Sequence, residues 1–161
     1  FSAQLQQEVW GTDPDATASS SIAPFGRTEE VEGGVLFSGE MGWSSGSDHA
    51  EWAIVGCRRQ NGEGGQDYCF AVLPRSDYEI RDDWFAAGMK GSGTKTLLID
   101  KAFVPEYRIQ KAKDMMEGKS AGFGLYPDSK VFYSPYRPYF ASGFEWLFKK
   151  KTAFNNGTIG R

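Results

Sequence analysis

The sequence predicts an all-β (mainly β) domain, with six to eight short strands arranged as an antiparallel barrel or sandwich. Aromatic residues make up 15% of the chain and glycine contributes 20 of its 161 residues, a pairing that favours strands separated by tight turns. Several short apolar runs alternate with polar residues, as strands with one buried face do. Hydrophobic residues amount to 40%, enough for the core of a single domain of this length.

The first strands follow an irregular, polar terminus over residues 1–15. An extended segment is expected from Ala16 to Pro24 and a short strand from Thr28 to Glu32, with a turn at Gly33-Gly34. A further strand is predicted from Gly34 to Met41. In this run and just beyond it, every second residue belongs to one set, which alternates with a second set of residues. This alternation predicts that one face of the strand is buried, and the first set consists of Val35, Phe37, Gly39, Met41 and Trp43.

The later strands are also short and are bounded by glycine or proline. Trp52 to Arg58 and Tyr68 to Leu73 are predicted to pair across a Gly-rich loop. Tyr78 to Arg81 is a short strand, and Thr96 to Val104 is a longer one that a proline ends. Arg108 to Glu117 is predicted to form one short amphipathic helix.

Charge and composition exclude several classes of partner. The formal net charge is −3, and the basic residues Lys149 to Lys151 lie in the last part of the chain, so the preceding body is more acidic. Such a body lacks the clustered Lys and Arg of a nucleic-acid surface. No apolar run approaches the ~20 residues of a membrane span. Because the chain begins with Phe1 rather than Met, we expect an excised or processed piece.

The two cysteines suggest a reducing compartment. Cys57 and Cys69 flank a turn-rich segment, so they could face each other across a hairpin. Two cysteines make no disulfide framework. A disulfide would form in an oxidising compartment, but we favour buried thiols in a cytoplasmic protein.

Two motifs imitate enzyme signatures without their context. Gly42-Trp43-Ser44-Ser45-Gly46 matches the G-x-S-x-G elbow of serine hydrolases, which needs a following helix and a later histidine. Here a strand is predicted to follow, and the one histidine, His49, comes too early. The run Gly88 to Lys95 imitates a P-loop, yet it also leads into a strand rather than a helix. No set of His, Cys and carboxylate residues has metal-ligand spacing.

The order of the motifs resembles the middle β-domain of the acyl-CoA dehydrogenase fold. Four segments carry the resemblance: Ser19-Ser20-Ser21-Ile22-Ala23-Pro24, residues 37–46, residues 88–94 and residues 100–105. Dehydrogenases of this fold usually carry a Glu-Pro-Gly-Ala-Gly-Ser-Asp-like loop, which is absent, and Trp43-Ser44-Ser45-Gly46-Ser47 replaces their Trp-Ile-Thr-Asn-Gly. Both departures favour flavin-dependent aromatic monooxygenases, and the chain most resembles the oxygenase components of the 4-hydroxyphenylacetate 3-hydroxylase family.

The resemblance implies a set of cofactor-binding residues. It places the Ser45 hydroxyl near flavin N5, where it would help to hold a C4a-hydroperoxyflavin, because a hydroxyl can donate or accept. Trp43 would lie along the isoalloxazine ring as a wall, with Ser44 beside it. Arg137 would lie beside the flavin, since a guanidinium both pairs with anions and stacks on rings. The simpler alternatives are a core tryptophan and a surface arginine.

The resemblance also implies a substrate site. Ser20 would face the phenol, hydrogen-bond its oxygen and assist its deprotonation, which makes Ser20 a candidate catalytic residue together with Ser45. Ile22 would add an apolar wall, and Phe140 would lie beside the substrate. For Ser20 the alternative is ordinary solvation at the end of a strand.

The expected function is that of a fragment. Residues 1–144 would be the flavin-facing β-domain of a phenol hydroxylase that uses reduced FMN (FADH2 as the alternative), O2 and a separate flavin reductase, without a metal. The family flanks this domain with helical domains, and residues 145–161 match nothing in it and resemble a foreign or engineered tail. We therefore expect the chain alone to bind flavin weakly and not to hydroxylate. The rival hypotheses are a non-catalytic β-barrel that self-associates as a homo-oligomer, and an acyl-CoA dehydrogenase-like oxidoreductase.

Overall fold

The computed structural model describes residues 1–117 and 119, and within them seven strands form one sheet. Arg137, Phe140 and the expected domain boundary at residue 144 lie outside the described residues. The strands are β1 (Ala18–Val31), β2 (Gly34–Ser44), β3 (Trp52–Gln60), β4 (Gln66–Pro74), β5 (Glu79–Arg81), β6 (Lys95–Pro105) and β7 (Ile109–Lys111). Two short helices, α1 (Ala3–Trp10) and α2 (Ala112–Met116), and four 3-10 turns complete this part of the chain.

The strand order is β5-β6-β2-β1-β3-β4-β7. The mainly-β class and the number of strands are confirmed. Within the described residues the sheet is open, however, because β5 and β7 are each paired on one side only. The expected all-antiparallel pairing is also wrong at one place, since β1 and β3 are parallel. The reason is that β2 turns back along one side of β1, so that β3, the next strand, runs in the direction of β1 on its other side.

The main core lies on one face of this sheet. Its members come from β2, β3, β4 and β6, with Tyr78 ahead of β5: Val35, Phe37, Met41, Ala53, Val55, Cys57, Cys69, Ala71, Leu73, Tyr78, Leu97, Ile99 and Val104. Three strands lie between β4 and β6 in the sheet order, yet the two share this core, so the sheet curls to bring its inner faces together. Cys57 and Cys69 are directly opposite each other on β3 and β4, both buried and both free thiols.

Helix α1 covers part of the opposite, outer face, where residues 1–15 were expected to be irregular. Ser2 caps the helix by accepting a hydrogen bond from the Leu5 amide at 3.2 Å, and its hydroxyl also donates to the Tyr107 carbonyl at 2.7 Å. Leu5 and Val9 lie one turn apart and pack on Val72 of β4. The prediction was wrong because two apolar residues in an eight-residue helix give almost no periodic signal.

Two other segments differ from their predictions. The extended segment before Pro24 and the strand after Thr28 are one continuous strand, β1. The helix expected from Arg108 to Glu117 is helical only from Ala112 to Met116, because its first residues form a 3-10 turn and the edge strand β7. Within residues 1–117 and 119, no helix is long and apolar enough to span a membrane.

Candidate functional site

A register shift in β1 turns Ile22 outwards. Between its pairings at Ser21 and Gly26, β1 advances five residues while its partner β3 advances two, so extra residues bulge out of the ladder. Gly56 of β3 lies beneath this bulge, where a Cβ atom would come within 2.1 Å of the Ile22 carbonyl oxygen. The glycine therefore allows the bulge to pack on the sheet, and the bulge leaves Ile22 48% exposed.

Ser20 and Ile22 line one cavity on the outer face. It has a volume of about 350 Å³, and its walls are almost entirely apolar. The remaining lining residues come from the N-terminus, β3, β4 and α2: Phe1, Ile54, Tyr68, Phe70, Ala112, Met115 and Met116. The cavity thus brings together Ser20, which the family resemblance predicts as a hydrogen-bonding group, and Ile22, which it predicts as an apolar wall. Such a cavity suits a ring with one polar substituent.

Tyr68 anchors the bulge and leaves Ser20 available. Its hydroxyl donates a hydrogen bond to the Ile22 carbonyl, which satisfies a carbonyl that the bulge removes from the ladder. Burial raises the pKa of Tyr68, so the hydroxyl stays a neutral donor. Ser20, in contrast, is exposed to the cavity, so its hydroxyl can meet a bound ligand.

A second register shift, at the end of β2, turns Trp43 out of the sheet. From Met41 to Ser44, β2 advances three residues while β6 advances two. Trp43 takes a left-handed backbone conformation with φ 62°, which is unusual for a bulky residue and strained. The alternation had placed Trp43 on the same face as Phe37 and Met41, but the shift reverses the face and leaves Trp43 77% exposed.

The same shift sends Ser44 inwards and Ser45 outwards. Ser44 is fully buried, and its hydroxyl has no hydrogen-bond partner among the described residues. Any contact between Ser44 and a surface ligand therefore comes from its backbone. Ser45 is exposed, and its hydroxyl lies 2.8 Å from that of Thr94, which in turn lies 2.6 Å from that of Ser92.

Trp43 lines an open cleft of about 360 Å³ between β2 and the segment that precedes β6. The other lining residues are Gly42, Asp83, Trp84, Phe85, Ala86, Thr94, Lys95 and Thr96. The Gly46 amide donates to the Gly93 carbonyl at 3.1 Å, so the two loops are joined by backbone as well as by hydroxyls. The cleft thus combines exposed aromatic faces with hydroxyl groups at its edge.

Residues Ser47 and Asp48 of the Ser-Asp-His cluster make contacts that hold the loop rather than contacts with each other. Ser47 is buried and its hydroxyl donates to the Ser44 carbonyl at 3.2 Å. Asp48 pairs with Lys95 at 2.9 Å, and this hydrogen bond raises the pKa of Lys95. His49 ends a single 3-10 turn that runs into β3. The buried, unpartnered hydroxyl of Ser44 also lacks a base, so the nucleophile-elbow match has no catalytic geometry.

One hydrogen bond connects the cavity with the cleft. The Ser21 hydroxyl donates to the Gly42 carbonyl at 2.6 Å, and Ser21 lies between Ser20 and Ile22 while Gly42 precedes Trp43. Beyond residue 27 towards the N-terminus the main-chain ladder between β1 and β2 ends, so this side-chain bond replaces it. The segments expected to face a cofactor and a substrate are therefore adjacent.

Several lining residues were missed by sequence reasoning. Tyr68 and Phe70 alternate with the buried Cys69 on β4, so their outward direction follows once the inner face is known. Thr94 and Ser92 lie in the Gly-rich loop that imitated a P-loop, and the sequence carries no signal that pairs them with Ser45. Across the described residues, no cluster of three or more His, Cys, Asp or Glu side chains is placed to hold a metal ion.

Comparison with known proteins gives strong matches. No protein-family model matches the chain. It is 69% identical over 144 residues to the oxygenase component of p-hydroxyphenylacetate 3-hydroxylase from Acinetobacter baumannii, covering 89% of this chain and 34% of that protein. It is 41% identical over 122 residues to the flavin-dependent monooxygenase oxygenase subunit HsaA of Mycobacterium tuberculosis, covering 76% of this chain and 31% of that protein.

A solved structure agrees with these matches. The 3-HSA hydroxylase from Rhodococcus sp. RHA1 superposes with a TM-score of 0.78 at 37% identity, covering 84% of this chain and 35% of that one. The sheet is thus that of flavin monooxygenases with the acyl-CoA dehydrogenase fold. More particularly, the homologues of this chain are oxygenase components of two-component, flavin-dependent aromatic hydroxylases. The chain spans about a third of the length of these relatives.

Proposed function

We propose that this chain forms the sheet side of the reduced-flavin and phenol site of an aromatic hydroxylase. The observation that carries the proposal is the exposed, strained Trp43 beside the Ser45 hydroxyl, on a segment hydrogen-bonded to the one that carries Ser20 and Ile22. A side chain held outwards at a cost of about 1–3 kcal/mol is the kind of strain that marks a functional position.

The residues present fit a flavin. An isoalloxazine ring has two apolar faces and a polar edge. The cleft offers aromatic faces from Trp43, Trp84 and Phe85, and the Ser45 hydroxyl lies next to it, 2.8 Å from that of the lining residue Thr94. We propose that Trp43 stacks on the ring, that the Ser45 hydroxyl meets N5, and that Ser44 contributes its backbone. When bound, reduced flavin supplies the reactivity towards O2.

The apolar cavity fits a phenol. The Ser20 hydroxyl would hydrogen-bond the phenolic oxygen and favour the phenolate, while Ile22 and Phe70 pack on the ring. We extend the proposal to Arg137 and Phe140 as further flavin and substrate contacts, on the family resemblance alone. The reaction would be ring hydroxylation with O2, fed by a flavin reductase, as the oxygenase components among its homologues imply.

The location and the cofactor complete the proposal. The two cysteines are directly opposite and free, which suits a reducing cytoplasm. We favour FMN over FAD, and only a titration with both can decide between them. Because the chain spans a third of its relatives, we propose that it provides part of the site and depends on the rest for turnover.

An anaerobic titration tests the flavin site. Photo-reduced FMN, and FAD in parallel, would be added to the chain and followed by tryptophan fluorescence and NMR of backbone amides. We expect dissociation constants weaker than micromolar and no hydroxylation. Trp43→Ala should weaken binding about tenfold through the loss of ring stacking, whereas the control Trp10→Ala, at a tryptophan bonded to the Ala16 carbonyl, should not change it. Micromolar binding with phenol turnover would contradict the proposal that the chain provides only part of the site. An unchanged Trp43 signal at millimolar flavin would contradict the flavin site itself.

A non-catalytic assembly role is the second candidate, favoured by large exposed aromatics. Phe85 is 90% exposed and Phe25 is 67% exposed, and such side chains promote association when they form a patch. Sizing chromatography with and without FMN separates the candidates. An oligomer that persists unchanged with FMN, with no flavin spectrum in its peak, would support assembly over catalysis.

A further inference from the structure

Three hydroxyl groups form a continuous hydrogen-bonded row at the edge of the Trp43 cleft. The Ser45 Oγ lies 2.8 Å from the Thr94 Oγ1, and the Thr94 Oγ1 lies 2.6 Å from the Ser92 Oγ. Both distances are normal for bonds between hydroxyls. Ser45 is exposed at one end, Ser92 is half-buried at the other, and Thr94 between them is buried. The row connects the end of β2 with the Gly-rich loop before β6.

The hydrogen bonds of this row can run in two favourable directions. Each hydroxyl has one hydrogen to donate, and the buried Thr94 must use its own, since an unpaired buried hydroxyl costs about 1–3 kcal/mol. If Thr94 donates to Ser92, it accepts from Ser45, and Ser45 presents a lone pair to the cleft. If Thr94 donates to Ser45, it accepts from Ser92, and Ser45 presents its O–H to the cleft.

The two arrangements match the two redox states of a flavin. Reduced flavin carries a hydrogen on N5 and offers a donor, whereas oxidised flavin has a bare N5 and offers an acceptor. Ser45 can satisfy either one by the reversal of two hydrogen bonds, with no side chain leaving its position. The direction of the Ser45 O–H is therefore determined by the hydrogen bonds that Thr94 and Ser92 make.

We propose that Thr94 and Ser92 are positioning residues that set the polarity of the Ser45 hydroxyl and so determine the relative affinity for reduced and oxidised flavin. The inference rests on the proposed flavin site, and it assigns a function to the Gly-rich loop that imitates a P-loop. Ser92 is the decisive member. Of the three hydroxyls, it alone can accept the hydrogen bond from Thr94 and so leave Ser45 as the donor to Thr94.

Ser92→Ala gives the sharpest test. Without Ser92 as an acceptor, the buried Thr94 hydroxyl must donate to Ser45, and Ser45 then turns its own O–H to the cleft and keeps one free lone pair in place of two. The dissociation constant for reduced FMN should rise by up to about tenfold, because the O–H opposes the N5–H and weakens one hydrogen bond, while that for oxidised FMN should stay unchanged or fall. Ser92→Val repeats the test with a side chain that keeps water out of the vacated space.

Two other variants separate polarity from packing. Thr94→Val removes the centre of the row, so binding of both redox states should weaken to a similar extent, and Thr94→Ser should restore it. Ser76→Ala removes an exposed hydroxyl that bonds to Asp77 and should leave both constants unchanged. Circular dichroism at the start of each titration checks that the fold is retained.

The outcomes divide cleanly. If the wild-type chain binds neither FMNH2 nor oxidised FMN, the proposed function fails and this inference fails with it. If the wild type binds, but both Ser92 variants leave the ratio of the two constants unchanged, the flavin site stands and the polarity role is overturned. A raised ratio in both Ser92 variants, with Thr94→Ser like wild type, would establish it.

Discussion

Strand β2 joins two regions with opposite physical character. Its first half contributes Val35 and Phe37 to the sheet core, where both are completely buried among apolar side chains. Its last residues, six positions beyond Phe37, hold an exposed tryptophan in a left-handed conformation and a buried serine hydroxyl that has no partner within residues 1–117 and 119. We refer to the bulge of β1 (residues 22–25) and the end of β2 (residues 42–46) together as the rim.

The comparison shows how one sheet separates stability from function. In the core part of β2, alternation places Val35, Phe37 and Met41 on the buried face, and the register shift opposite residues 37–39 is taken up by β6. In the rim, two register shifts reverse or displace side chains, and these are the positions that line the cavity and the cleft. The rim is locally unfavourable and depends on the packing of the core, so substitutions in the two regions should have different consequences.

Phe37→Ala should have the largest effect on stability. The ring is fully buried and packs over Gly26, where even a Cβ atom would come within 2.1 Å of its tip. Its removal should lower the free energy of unfolding by about 3–5 kcal/mol, measured by urea denaturation with circular dichroism. The control Phe85→Ala, at the exposed ring of the cleft, should change it by less than about 0.5 kcal/mol. Equal losses in the two variants would remove the distinction between the buried core and the exposed cleft.

Gly56→Ala should have the second largest effect on stability, because a methyl group at this position in the sheet would push against the backbone of the rim. The added methyl group would meet the backbone carbonyl oxygens of Ile22 and Ala23 at 2.1 and 2.7 Å, and backbone cannot move aside as a flexible side chain can. We expect a loss of about 1–3 kcal/mol and displacement of Ile22, visible as shifted methyl signals of Met115 in NMR spectra. Gly62→Ala, where nothing lies within 4 Å, is the control. A wild-type Met115 signal in Gly56→Ala would show that the bulge does not depend on this glycine.

The core could be read from the sequence because its signal is local. Alternation along β2 identified Val35, Phe37 and Met41, and the hairpin of β3 and β4 placed Cys57 opposite Cys69, as the structure has them. The open sheet and the parallel β1–β3 pair could not be read, since they depend on which strands meet in space. Helix α1 was missed for a related reason, because its stability comes from packing on Val72 rather than from its own sequence.

The rim could be read only in part. Family resemblance singled out Ile22, Trp43 and Ser45 in the rim and Ser20 next to it. The structure places Ser20 and Ile22 at the cavity and Trp43 at the cleft. The Ser45 hydroxyl lies 2.8 Å from that of Thr94, which lines the cleft. Periodicity failed here, because a register shift is a tertiary event that leaves the alternation of the sequence intact while it reverses the faces. Trp43 shows the failure most clearly, since the alternation placed it on the buried face and it is 77% exposed.

Trp43 allows strain and function to be separated at one position. Trp43→Gly removes the left-handed strain, since glycine adopts positive φ freely, so the free energy of unfolding should stay within about 1 kcal/mol of wild type. Trp43→Ala keeps the strain and should be less stable than Trp43→Gly by about 1 kcal/mol. Both variants should weaken FMN binding about tenfold through the loss of ring stacking. Retained FMN affinity in Trp43→Gly would show that the tryptophan is not the wall of the cleft.

The smallest expected effect concerns the ion pair that holds α1 on the outer face. Arg108 donates to the Glu8 carboxylate and lies over the Trp52 ring at 5.4 Å. The hydrogen bond from Arg108 lowers the pKa of Glu8, so the folded state binds this proton less readily than the unfolded chain does. The pair therefore stabilises the fold at any pH above the unfolded value of about 4.3. This contribution is lost as the pH falls through the lower, folded pKa.

Glu8→Gln tests this contribution and also tests whether the cavity and the cleft respond independently. The variant should be less stable than wild type by about 0.3–1 kcal/mol at pH 7 in urea denaturation, and the difference should narrow as the pH falls below the unfolded value of about 4.3. Because Phe1 precedes α1 and lines the apolar cavity, a loosened helix should change the NMR signals of Met115 and Met116. The signals of Trp43 should not change, because no residue of α1 lines the cleft. The control Glu63→Gln, in the exposed turn between β3 and β4, should leave the free energy of unfolding at pH 7 unchanged. Simultaneous changes at Met115 and Trp43 would instead mean that the cavity and the cleft respond as one unit, connected through the bond between Ser21 and Gly42.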